Sequence, residues 1–75
     1  MRTYFYVIRF KNGTLYLTKM EEVDDKPYFS SFSINLLKAI RFNSYQEAQD
    51  QIDNVSWMTS YNDGYEIVEL EYIPT

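Results

Sequence analysis

The side chains of this 75-residue chain that are able to do acid–base or ligand chemistry are mostly carboxylates: eleven Asp and Glu, with no cysteine and no histidine. Six of them fall into three close pairs, Glu21 with Glu22, Asp24 with Asp25, and Glu69 with Glu71. A paired carboxylate serves as a general acid or base when burial moves its pKa. Two acids two apart on a strand share a face and offer oxygens to a hard cation. Calcium takes about six to eight oxygens, and no spacing in the sequence supplies the remainder. Adjacent acids in a polar run are read as solvated. Without His or Cys, the usual nucleophile–base pairs and zinc ligand sets have no members. Gly13 and Gly64 belong to separate short turns, not to a phosphate-cradling loop. The expectation is a protein that is not an enzyme and uses no cofactor or metal.

Charge is divided along the chain. Residues 42–75 carry seven carboxylates, Glu47, Asp50, Asp53, Asp63, Glu66, Glu69 and Glu71, and no lysine or arginine. The first twenty residues carry Arg2, Arg9, Lys11 and Lys19 and no acid. The net charge is −4. Phosphate backbones are bound through a basic footprint, so the composition argues against direct nucleic-acid binding, although Tyr6 and Tyr16 interleave with the basic residues of the first hairpin. An acidic field instead steers a protein toward a basic partner. The plainer account is that the acids pair with Lys11, Lys19, Lys38 or Arg41, or only keep the domain soluble. Eight tyrosines, five phenylalanines and one tryptophan exceed what so small a domain buries. Tyrosine tolerates the surface, where its ring is apolar and its hydroxyl is wet.

The elements that must position these groups follow from local pattern. Residues 1–75 are one domain near the lower size limit for an independent core. Two β-rich runs flank Asn12 and Gly13, the pair that accepts positive φ at both centres of a two-residue type I′ turn. That register sets Phe10 opposite Leu15, Ile8 opposite Leu17, Val7 opposite Thr18 and Phe5 opposite Met20. Tyr4, Tyr6, Ile8 and Phe10 with Leu15 and Leu17 form the expected core face. Phe5, Val7, Arg9, Tyr16, Thr18 and Met20 form the other. Residues 21–27, rich in acids and ending in Pro27, suggest a solvated loop. Residues 36–42 suggest a short third strand with Leu36, Ile40 and Phe42 on one face. Ser44 with Glu47 three residues on is a capping box. Ala48, Ile52 and Val55 follow at helical spacing, with Glu47, Asp50 and Asp53 outward. The helix is expected to end between Asn54 and Ser60, with Trp57 and Met58 at the core edge. Residues 65–73 form a last strand with Val68, Leu70 and Tyr72 on one face and Glu69 and Glu71 on the other. The fold class is α+β: an antiparallel sheet from hairpin, third strand and last strand, with one helix on one face. No apolar run approaches the roughly 18 residues of a membrane span.

The segment AIRFNSYQEAQDQI, followed by YEIVELEYI, resembles a pattern of short proteins from bacteriophages and mobile elements of Gram-positive bacteria. The matching positions are Ala39, Arg41, Phe42, Ser44, Glu47 and Ala48. In size, charge and tyrosine content the chain is similar to small phage inhibitors of host machinery, including anti-CRISPR proteins that block nucleases by mimicking DNA. The resemblance implies a stoichiometric inhibitor in the cytoplasm of a bacterial host, occluding a basic nucleic-acid-binding surface of a host protein. The residues expected to meet that partner are Glu47, Asp50 and Asp53 from the helix and Glu66, Glu69 and Glu71 from the last strand, with Tyr61 and Tyr65 as aromatic anchors. The alternative is a self-associating module that forms a homodimer through its rings or a sheet edge.

Overall fold

The computed structural model describes residues 3–11, 13–55 and 64–72. In chain order they form β1 (Thr3–Phe10), β2 (Tyr16–Val23), β3 (Lys26–Ser33), a 3-10 turn (Leu36–Lys38), α1 (Tyr45–Asn54) and β4 (Tyr65–Tyr72). The strands make one antiparallel sheet in the order β3-β2-β1-β4, and α1 packs on one face of it. This is the α+β architecture expected from the sequence.

The hairpin register is the expected one at its turn. Arg9 lies opposite Tyr16, and the Phe10 N–H donates to the Leu15 carbonyl at 3.2 Å. The turn itself differs. Gly13 does not adopt a positive φ, and its N–H donates to the Phe10 carbonyl at 3.3 Å. Phe10 and Leu15 thus close the connection, and a hydrogen bond between Phe10 and Gly13 lies within it. Asn12 lies outside the described residues. The positive-φ turn sits in the next hairpin, where Asp24 (φ 52°) and Asp25 (φ 64°) close Val23 against Lys26. Residues 21–27, expected as a loop, are the end of β2, this tight turn and the start of β3.

The third strand is β3, upstream of the expected residues 36–42. Those residues instead make the 3-10 turn, whose start is held by the Asn35 side chain accepting from the Leu37 N–H at 3.0 Å, and an extended wedge. Beyond Arg9 and Tyr16, β1 and β2 separate, and residues 40–42 fill the gap. Tyr6 donates to the Phe42 carbonyl at 2.9 Å, Phe42 donates back at 2.8 Å, and Ile40 donates to the Leu17 carbonyl at 2.9 Å. The pairing expected farther along, Val7 with Thr18 and Phe5 with Met20, gives way to this insertion. Register shifts on either side of Lys19 also turn β2 over. Met20, expected on the face opposite Leu17, therefore packs against the same core.

That core joins Ile8, Leu17, Phe29, Phe42, Ala48, Ile52, Val55 and Tyr65, with Tyr6, Phe10, Met20, Phe32, Ile40 and Ile67 around it. The helical stripe Ala48, Ile52 and Val55 is buried as expected, while Tyr4 and Leu15 of the expected core face stay exposed. Each buried aliphatic contributes about 1.5–3 kcal/mol, so these few side chains supply much of what a domain this small has available. Val7, on the sheet's other side, is also fully buried. The helix starts as a capping box: Glu47 N–H donates to Ser44 Oγ at 3.1 Å. The Glu47 carboxylate accepts from Asn43 N–H at 2.9 Å, one residue before the cap itself. Trp57 and Met58 lie outside the described residues. Among those described, no helix is long and apolar enough to cross a membrane.

Candidate functional site

Strand alternation divides the acids of β4. Tyr65 and Ile67 face the helix and join the core, so Glu69 and Glu71 share that side, farther along the strand. Glu66 is on the opposite side, where its carboxylate accepts from Arg9 Nε in an ion pair across the register. Elsewhere the Arg41 guanidinium lies 4.8 Å from the Phe5 ring centre, a cation–π contact. Glu66, Glu69 and Glu71 are therefore not one acidic face. Glu69 accepts a hydrogen bond from the Tyr6 hydroxyl at 2.9 Å, and that bond, ahead of burial and charge, holds the Tyr6 phenol above its ordinary pKa. The Tyr6 ring in turn meets Tyr45 edge-on, with centroids 6.4 Å apart.

Tyr65 is not a surface anchor. It is 6% exposed, with its ring 5.3 Å from Phe10, 4.9 Å from Phe29 and 6.1 Å from Phe32. The alternation that sends Glu66 outward sends Tyr65 into the core. Tyr61 and Asp63 lie outside the described residues. On α1, Glu47 is exposed but its carboxylate is occupied by the cap. Asp50 and Asp53 are exposed, each accepting from an amide one turn earlier: Gln46 to Asp50 at 2.8 Å and Gln49 to Asp53 at 3.0 Å. The helix has no basic residue in its last turn. Asp53 sits there against the helix dipole, where a negative charge is unfavourable.

Between α1 and β4 runs a groove of about 390 Å³ lined by Tyr45, Gln49 and Ile52 from the helix, Tyr65, Glu66 and Ile67 from the strand, and Lys11 at the hairpin. The helix wall has spacing i, i+4, i+7 and meets the buried stripe at Ile52. The spacing was visible; what it faced depended on the sheet order. Tyr45, 55% exposed, is the aromatic surface group at the position where Tyr65 was expected to serve. Among the described residues, no group of three or more Asp, Glu, His or Cys converges as a metal site would require.

Compared with known proteins, the chain matches no family model, no curated protein and no solved structure.

Proposed function

We propose that this protein is a non-catalytic binding protein that covers a basic, nucleic-acid-handling surface of a partner, in the manner of phage inhibitors that stand in for DNA. The observation that carries the reading is the outer half of α1. Asp50 and Asp53 are exposed, each bonded to a neutral glutamine amide of its own helix, whereas the Arg9–Glu66 and Lys19–Glu21 ion pairs lie on the sheet. Asp53 also sits where it costs helix stability, a position that serves recognition better than folding. Tyr45 and Glus such as Glu69 extend the surface toward the sheet. In this mode charge sets the encounter rate and a few rings set the residence time.

The test is affinity capture from a bacterial lysate in low and high salt, followed by competition between this protein and nucleic acid for the purified captured protein. A partner shed at high salt and displaced from nucleic acid supports the reading. Asp50→Lys with Asp53→Lys should then weaken the complex by at least about tenfold, about 1.4 kcal/mol. A partner held equally by that double variant, or one still bound to its nucleic acid, would sink it.

A second reading, self-association, is favoured by one apolar end. Ile34 (73% exposed) and Leu37 (79%) follow β3, and Leu15 (38%) precedes β2 beside them. Sedimentation over a concentration series, comparing Leu37→Ser with the unaltered protein, separates the two readings. A dimer that persists at high salt and is lost in Leu37→Ser supports the second.

A further inference from the structure

The outer edge of β4 has backbone groups whose direction follows from the register. Tyr6 exchanges both of its backbone bonds with Phe42, and Phe10 gives its N–H to Leu15. The even-numbered residues of β1 therefore bond away from β4, and the odd-numbered ones bond toward it. The register partners of Phe5, Val7 and Arg9 are Leu70, Val68 and Glu66. Ile67 and Glu69, lying between these, point their N–H and C=O groups outward. Since β4 is the last strand of the sheet, nothing among the described residues pairs with them. An unpaired strand edge is a template for another strand. The opposite edge strand, β3, contains Pro27, which has no N–H to offer. β4 contains neither proline nor lysine.

The groove described above runs beside this edge. A strand added at Ile67 and Glu69 sends every second side chain to the helix side. There the residue opposite Ile67 meets the cavity walled by Tyr45, Gln49 and Ile52, and the residue opposite Glu69 meets a carboxylate. Cross-strand pairs favour opposite charge and disfavour like charge. We infer that β4 accepts an extended segment of a partner protein as a fifth strand, with an apolar side chain opposite Ile67 and a lysine or arginine two residues away opposite Glu69. A second copy of this chain fits less well. Antiparallel self-pairing through these outward groups sets Glu69 against Tyr65, Ile67 or another Glu69, and never against a cation. The inference deepens the proposed binding role by naming how the partner is held, main-chain bonds giving affinity and alternate side chains giving specificity.

The probe is an acetylated, amidated peptide of sequence Val-Thr-Lys-Thr-Val-Thr-Lys-Thr, followed by amide hydrogen exchange and chemical shifts on labelled protein. The expected result is exchange at Ile67 and Glu69 slowed by about tenfold or more when the peptide is saturating. Replacing the peptide's lysines by glutamates, or N-methylating its alternate amides, should abolish the slowing. Binding that leaves these two amides unchanged, equal binding by the N-methylated peptide, or no binding overturns the inference. So does slow exchange at both amides in dilute protein alone, because the edge is then already paired. The assay contains no host partner, so its outcome is independent of the capture experiment.

Discussion

Asp24 and Asp25 hold a backbone conformation that side chains other than glycine or asparagine adopt at a cost, whereas Gly13, in the turn where that freedom was expected, does not use it. The difference is measurable. Asp24→Asn combined with Asp25→Gly installs the pair that a two-residue hairpin prefers and should raise stability by about 1 kcal/mol in urea denaturation. A Cβ at Gly13 meets nothing closer than Phe10 Cβ at 3.6 Å, ordinary contact. Gly13→Ala should therefore change stability by no more than about 0.5 kcal/mol; a large loss would show that a left-handed residue is needed there. At the same scale, Glu21 is held below the ordinary glutamate pKa by Ser30 first, then by the Tyr28 hydroxyl and the Lys19 ammonium. The Tyr28 bond is 3.0 Å and the Lys19 contact 3.2 Å. The folded state thus prefers the charged carboxylate. Its contribution is present above the unfolded glutamate pKa and is lost as pH falls through the lower folded value. In carboxyl NMR titration the Glu21 midpoint should lie below the ordinary value and rise in Tyr28→Phe; an unmoved midpoint would mean that the hydroxyl is not its partner in solution.

Among the elements, α1 was legible because its signals agree: a serine cap, a glutamate three residues on, and apolar residues at one spacing. Ser44→Ala should cost about 1 kcal/mol, read from thermal or urea unfolding. Glu47 belongs to that cap, so reversing its charge confounds folding with binding. Reversing Asp53 does not: Asp53→Lys gives the helix a cation at its negative end and should stabilise it by about 0.3–1 kcal/mol. A loss of stability instead would show that its bond from Gln49 outweighs the dipole. β3 was hidden because its sequence, KPYFSSFS, begins with Lys-Pro and carries three serines. Only its pairing with β2 makes it a strand. Met20 was misplaced because no sequence signal marks the irregularity at Lys19. For the site, strand alternation already contained the separation of Glu66 from Glu69 and the inward turn of Tyr65. What it lacked was which face the helix would cover, and the groove depends on that choice.

At the scale of the whole molecule the sheet is two ribbons, β2 with β3 and β1 with β4, joined at the Arg9–Tyr16 end and held apart by residues 40–42. The molecule is accordingly long, 41 by 22 by 19 Å. The ribbons differ in how far apart in the chain their strands lie. Val23 meets Lys26 across a two-residue turn, whereas Thr3 meets Tyr72, with nearly the whole described chain between them. Non-local pairing demands the loss of loop entropy before any contact rewards it. The β2–β3 ribbon can therefore form early, while β1 waits for β4, its side open and its Ile8 without a complete core. During synthesis this order is enforced, since β4 leaves the ribosome after every other described strand. A newly made chain passes through a state in which β1, and not β4, is the strand seeking a mate.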